Sequence, residues 1–460
     1  MNSDRSAKPS RSWLQSAATR SGLVFVFLGT VALMGGASRA DVASLVVLRP
    51  AAIVFATLAL LAAPAGSLRR ENAPLLFVVA SMALVASYLV PLPFELWRTL
   101  PGREAYATAL EALEVDPGWL ATTLSPARTV NALAALTVPL AGALLAMIHP
   151  REYDKRLVYA LVAVAVVSAL LGLLQQLGDP RGPLYFYSVT NWGAPVGLFA
   201  NRNHQAVFLA AMLPFLAHLA IGSDKSRRVG TAIVAAGVAL LFVLIIMIGG
   251  SRAGLVALAL SLLVSTYGYW RTRPRPDPGK RASSPRRRAL IVTGAAAVAA
   301  LVIALPVLSG RDLALERLAA TSTEHETRFY LIPTFLDMVA AFFPTGSGFG
   351  TFELAFYRFE TLEMLSRYYL NQAHNDWMQP VIEGGVFAMA LIALFVAWIA
   401  RTMIDIHRAQ FDTRTSRRFA ALGAVGILVV ASLFDYPLRT PLAATVFVMC
   451  CVIANRKARY

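Results

Sequence analysis

The sequence predicts an all-α polytopic membrane protein: one integral membrane domain over residues 1–460, with about twelve transmembrane helices. Three observations carry that prediction. The chain is 57% hydrophobic and 15% charged, with a mean hydropathy of +0.59. Apolar runs long enough to cross a bilayer, about 18 residues or more, recur along its whole length. Basic residues then collect in alternate connections between those runs.

The runs lie near 21–38, 43–63, 74–90, 130–148, 157–176, 204–221, 230–248, 252–269, 289–308, 380–400, 418–434 and 440–455. Residues 1–20 are polar and basic, without a small-residue cleavage site after a short apolar core, so the first run reads as a retained helix rather than a removed signal peptide. Cys450 and Cys451 are adjacent in the last run, where neither a disulfide nor a metal site is plausible; they read as small core or lipid-facing residues.

The net charge of +16 invites a nucleic-acid partner, but its distribution excludes one. With the N-terminus inside, the inner segments are 1–20, 64–73, 149–156, 222–229, 270–288, 401–417 and 456–460. Together with Arg418 at the rim of its span they hold 28 Lys and Arg against 8 acids. Together with Arg252 and Glu383 near the outer ends of their spans, the outer segments hold 13 Arg, no Lys and 18 acids. The bias predicts an N-in/C-in topology, with basic loops that face anionic lipid.

Three connections are long. Residues 271–288 are Pro-rich and basic, and read as a cytoplasmic linker. The 91–129 loop faces outward, with Trp97 and Trp119 expected in the interfacial aromatic belt. The outer loop 309–379 has room for helices at 326–342 and 351–367, where aromatic and aliphatic residues recur at helical spacing. Between them Pro344-Thr-Gly-Ser-Gly-Phe-Gly350 reads as a tight turn, or as a run of backbone N–H groups offered to a phosphate. It lacks the strand before it and the Lys-Ser/Thr after it that a nucleotide-binding loop requires.

Candidate chemistry gathers on the outer side. Ionisable groups at the rim of a membrane bundle are costly and usually face a cavity or one another. Arg202 begins the sixth span, Arg252 begins the eighth after Gly249-Gly250-Ser251, and Arg328 opens the first loop helix. Guanidiniums suit bidentate capture of a phosphate or diphosphate; for each alone, a headgroup contact or a structural ion pair is the alternative. His374 lies in Ala373-His-Asn-Asp-Trp377, directly before the tenth span. With an ordinary pKa of about 6.5, histidine can accept a proton from an attacking hydroxyl, or it can simply cap the helix that follows. Asn375 and Asp376 are candidate substrate contacts, and Asp376 or Glu383 could orient the histidine. Asp435 and Arg439 flank the last outer turn. Neither Gly-x-Ser-x-Gly nor His-Glu-x-x-His occurs, and no Asp-x-Asp stands on the inner side to hold a metal and a nucleotide-sugar.

These residues resemble the O-antigen ligase superfamily. The resemblance rests on Gly197-Leu-Phe-Ala-Asn-Arg-Asn-His204, Gly250-Ser-Arg-Ala-Gly254, Glu326-Thr-Arg328, Pro344-x-Gly-x-Gly-x-Gly350, and Ala373-His-Asn-Asp-Trp-x-Gln379 with Glu383-Gly384. It covers roughly 190–440 and extends to the N-terminal spans in general plan. It implies a GT-C-like arrangement and a metal-independent, inverting glycosyltransferase without a cofactor, facing the periplasm from the bacterial inner membrane. The implied donor is a glycan on undecaprenyl diphosphate, and the implied acceptor is lipid A–core or a nascent polysaccharide. By motif match, Arg252 and Arg328 take the diphosphate-binding roles and His374 that of the acceptor-activating base. A repeat-unit polymerase of the same superfamily is the alternative, suggested by the long 91–129 loop. A flippase or transporter would show internal repeats and charges at the bilayer midplane; no clear repeat is visible, and only Arg49 could lie that deep.

Overall fold

In the computed structural model, residues 13–69, 71–114, 116–222, 228–272, 331–364 and 370–457 are described. The span expected at 289–308, nearly all of the 271–288 linker, the first part of the outer loop and Arg328 lie outside them.

Ser16 accepts the Thr19 N–H at 3.0 Å and so starts α1 (Ala17–Met34). Next come α2 (Leu45–Ala62) and α3 (Ala73–Ser87). The 91–129 loop then forms a two-stranded antiparallel ribbon, β1 (Pro91–Pro93) with β2 (Trp119–Ala121). Between the strands lie α4 (Phe94–Trp97) and α5 (Glu104–Ala112). The bundle resumes with α6 (Pro126–Ala135), α7 (Thr137–Ile148), α8 (Asp154–Leu177), α9 (Arg202–Ile221), α10 (Arg228–Gly249) and α11 (Arg252–Thr272). Short helices α12 (Ile332–Phe342) and α13 (Phe352–Phe356) precede α14 (Met378–Arg408), α15 (Thr413–Ala431) and α16 (Pro441–Asn455).

Among the described residues, eight helices are long and apolar enough to cross a membrane: α1, α2, the α6–α7 pair, α8, α9, α10, α11 and α14. The protein is a polytopic, mostly helical membrane protein. The spans expected at 74–90 and 440–455 appear as α3 and α16, apolar but only 15 residues each.

Helix α9 is the centre of the bundle. It is buried on nearly every face, as a helix apolar all round must be, and packs against α8, α10, α11 and α15. Gly254 sets the approach of α11, since a Cβ there would lie 2.5 Å from the Ala206 Cβ of α9. Cys450 and Cys451 are buried in the same core, as expected.

The stretch from Leu331 to Ile382 builds a second, smaller core. Phe335, Met338 and Phe342 of α12 meet Phe352 and Phe356 of α13, with Ala373 and Ile382 beneath them. The helix expected over 351–367 is much shorter, because Arg358 instead donates to the Gly102 carbonyl at 3.1 Å and Phe359 packs on Phe342. Trp97 does not sit in an interfacial belt. It is buried, donating its indole N–H to the Ala121 carbonyl at 2.9 Å, while Trp119 is exposed. The guanidinium of Arg103 is buried between the Trp97 and Phe342 rings, and burial pushes its pKa down to about 10. It donates to the Thr122 carbonyl and more weakly to those of Gly346 and Ser347. The 91–129 loop thus clamps the glycine turn.

That turn is locked onto a break in α14. Gly385 has φ 55°, so the helix loses its regular path there, and Val386 N–H donates to the Pro344 carbonyl at 2.9 Å instead. Gly346, Ser347 and Gly348 N–H donate to the carbonyls of Phe342, Ile382 and Glu383. Of the two readings of the glycine run, the tight turn is the one observed: these three N–H groups are committed to the protein. Glycine is needed because a Cβ at Gly346 would lie 2.5 Å from the Glu383 carbonyl.

Candidate functional site

Four pieces of chain meet at one end of the bundle: the N-termini of α9 and α11, the 370–377 segment that leads into α14, and the 432–440 turn between α15 and α16. Helices α9 and α11 run the same way, each antiparallel to α10 between them, so both N-termini open at this end. Arg202 is the first residue of α9 and Arg252 the first of α11, both half-buried. Asn201 caps α9 by accepting the Asn203 N–H at 2.8 Å, and Ser251 caps α11 by accepting the Gly254 N–H at 2.9 Å. Each helix start adds a partial positive charge to its guanidinium, which suits a phosphate. Arg328 lies outside the described residues.

His374 is held in a left-handed backbone conformation, φ 51°. For a non-glycine residue this costs about 1–2 kcal/mol, so neighbouring bonds must impose it. Ala373 N–H donates to Gln379 Oε1 at 3.0 Å, and Asp376 N–H donates to the Ser432 carbonyl at 2.9 Å. The imidazole packs edge-on to Tyr436, with ring centroids 4.6 Å apart, and remains 21% exposed. Its Nδ1 lies 3.9 Å from Asp435 Oδ1.

The same carboxylate oxygen lies 3.7 Å from Nε2 of His204, in the first turn of α9, whose ring packs on Tyr436 at 5.1 Å. Asp435 and His204 are both fully buried. A carboxylate facing Nδ1 favours the proton there and leaves Nε2 with the lone pair. Asp435, rather than Asp376 or Glu383, is therefore the acid aligned with His374.

Asn375 and Asp376 serve the segment itself. Asn375 Oδ1 accepts the Trp377 and Met378 N–H groups, and its Nδ2 donates to the Leu433 carbonyl at 2.9 Å. Asp376 accepts from Arg439 Nε at 3.2 Å, Ser432 Oγ at 3.2 Å and Leu438 N–H at 3.3 Å. Burial drives its pKa up to about 6, against the opposing pull of Arg439, Ser432, His204 and the Leu438 N–H. Glu383 accepts from Gln379 Nε2 and Phe352 N–H, tying α14 to α13. These bonds fix the loop on the 432–440 turn and so fix His374 against Asp435.

His204 and Asp435 lie 231 residues apart, and sequence reading did not pair them. The available signal was a histidine and an aspartate at the ends of apolar spans, each within a polar motif.

Residues 237–393 match the family described as O-antigen ligase. The matched stretch runs from α10 into α14 and contains Arg252, Arg328 and His374, while Arg202, His204 and Asp435 fall outside it. No curated protein matches the chain.

Proposed function

We propose that this chain, whose residues 237–393 match the O-antigen ligase family, is a membrane glycosyltransferase of that superfamily acting on a glycan carried by undecaprenyl diphosphate. The observation that carries this reading is His374, strained, partly exposed and aligned with buried Asp435, at the end of the bundle where Arg202 and Arg252 begin their helices.

In this mechanism Nε2 of His374 takes the proton of the acceptor hydroxyl as its oxygen attacks the anomeric carbon. The bond from that carbon to the carrier diphosphate breaks on the opposite face, so the configuration inverts. Diphosphate leaves as an anion and needs no acid; it needs fixed positive charge where negative charge builds. Arg252, Arg328 and the start of α11 supply it, with Arg202 as a further cation. The proton on His374 then passes to solvent. No metal or cofactor enters these steps.

The site end would face the periplasm of a bacterial inner membrane, in an N-in/C-in protein of about twelve spans. Supporting this, the opposite end holds a 690 Å³ pocket lined by seven Lys and Arg, Arg20 and Arg414 among them, against the carboxylates Glu71, Glu152 and Asp154, a basic excess expected of a cytoplasmic rim. Residues 1–460 act as one membrane domain in this reading, with 271–288 a cytoplasmic linker, 309–379 a periplasmic loop and 190–440 the ligase-like region. The acceptor is lipid A–core for a ligase or a nascent polysaccharide for a polymerase.

The test is to incubate purified protein with an undecaprenyl-diphosphate-linked glycan and each acceptor, following carrier release and the new linkage by NMR. Release coupled to an inverted linkage supports the proposal. A retained configuration, or transfer independent of the lipid-linked donor, sinks it.

A further inference from the structure

A second cavity lies on the other side of the His374 segment. Its volume is 880 Å³, within the range of small-molecule pockets. Asn371, Gln372, Asp376 and Trp377 form its rim, while Arg202, His204 and Arg252 do not line it. Below the rim the walls are apolar: Phe77 and Val78 of α3, Leu391 and Phe395 of α14, Phe447 and Cys451 of α16. Phe395 is 17 residues beyond the start of α14, about 25 Å of helix rise. The cavity therefore reaches from the membrane surface deep into the bundle.

Four arginines and four carboxylates line this space, and one of the carboxylates, Glu383, is held by Gln379 Nε2 and the Phe352 N–H rather than by an arginine. Three of the arginines are matched by carboxylates: Arg39 by Asp41 at 2.7 Å, Arg128 by Glu353 at 2.6 Å, and Arg439 by Asp376 at 3.2 Å. Arg49 has no carboxylate partner among the described residues. It donates Nη1 to Asn131 Oδ1 at 2.6 Å, and its buried Nε has no hydrogen-bond partner there. It is the fifth residue of α2, one turn inside the end that faces His374. A cation at that depth is costly without a counter-charge. The counter-charge that fits is a headgroup phosphate at the level of Arg49, whose chain fills the apolar part below.

We propose that this cavity holds the acceptor as a lipid, its anionic headgroup on Arg49 and its acyl chain between α3, α14 and α16. The donor diphosphate lies across the 370–377 segment at Arg252, so the two lipids approach His374 from opposite sides. This inference rests on the glycosyltransferase reading for the word acceptor; the lipid site itself does not.

Native mass spectrometry of the purified full-length chain tests the site with three probes: dioleoyl phosphatidic acid, dioleoylglycerol with the same chains, and inorganic phosphate. The wild type should retain phosphatidic acid at least ~10-fold over dioleoylglycerol, the span of one counter-ion contact of about 1.4 kcal/mol. Inorganic phosphate should not displace it. Arg49→Gln should lose the preference, Arg49→Lys should keep most of it, and Ser81→Trp, placed to fill the cavity from α3, should lose both lipids. Equal retention of the two lipids, an unchanged preference in Arg49→Gln, or displacement by inorganic phosphate overturns the lipid site. In turnover assays Arg49→Gln should raise the acceptor KM by about tenfold and leave the donor KM unchanged; a raised donor KM overturns the assignment to acceptor. Absence of wild-type transfer would defeat the glycosyltransferase reading alone, because lipid retention is measured without turnover.

Discussion

Asp435 Oδ1 stands 3.9 Å from Nδ1 of His374, although the two residues belong to segments on either side of α14 and α15. The relationship depends on the bonds that pin Asn375 and Asp376 to the 432–440 turn, since these carry His374 to its place.

If Asp435 positions the imidazole, Asp435→Asn should lower kcat by roughly 10²-fold, within the range of general-base effects. The donor KM should stay near its wild-type value, and Asp435→Glu should recover part of the loss. A variant whose KM rises while kcat is unchanged would mark Asp435 as a binding or structural residue.

Arg252→Ala should abolish transfer while the protein still inserts and melts cooperatively. Arg252→Lys should recover only part of the rate, because a point charge cannot reproduce a bidentate fork. The same series at Arg328 tests the role implied by its Glu326-Thr-Arg328 motif. Full activity in either Ala variant removes that arginine from the diphosphate site.

Asp376 makes stability depend on pH. Burial raises its folded pKa to about 6 from the ordinary 3.8 of an aspartate. Between those values the folded state binds more protons than the unfolded chain, so stability falls as pH rises through that window. The full effect is on the order of 3 kcal/mol. Melting curves of Asp376→Asn between pH 4 and pH 6 should lack the part of this slope that the wild type owes to Asp376. Parallel profiles for the two proteins would refute the assignment.

Gly385→Ala should destabilise by at least about 2 kcal/mol, because φ 55° disfavours a Cβ and the new methyl would overlap the Pro344 carbonyl. Thermal unfolding in detergent measures it. A melting temperature within a degree of wild type would show that the α14 break is not needed to seat the glycine turn.

Topology is tested with single cysteines at Ser322 and Ser284, the native Cys450 and Cys451 being buried. A membrane-impermeant thiol reagent should modify position 322 in intact cells and position 284 only after permeabilisation. The reverse pattern would turn the site toward the cytoplasm.

Much of this protein is legible in its sequence because membrane insertion writes itself into composition. Apolar runs and basic loops mark the spans, and Cys450 and Cys451 follow from their place in one of them. The motifs around Arg202, Arg252 and His374 likewise point to one end of the bundle. What stays hidden is contact between distant segments. Asp376 precedes the span beside His374 and looks like its natural partner, yet Arg439 claims it and Asp435 takes the place. Trp97 resembles a belt residue because tryptophan favours interfaces. Only the ribbon, which brings Ala121 to its indole N–H, shows that it is buried against the protein. The glycine run reads as a turn or a phosphate cradle until the break at Gly385 supplies the carbonyls of Ile382 and Glu383 for its N–H groups.

The central claim is that His374 removes the acceptor proton. Its most direct test is turnover by reconstituted wild type and His374→Ala with a lipid-linked donor, in chelator, across a pH series. The account predicts a loss of about 10²–10⁴-fold in the variant, with donor binding retained. It also predicts a wild-type rate that falls in acid, as the imidazole takes up a proton and can no longer act as base. Wild-type turnover by His374→Ala, or a strict requirement for a divalent metal, would contradict it.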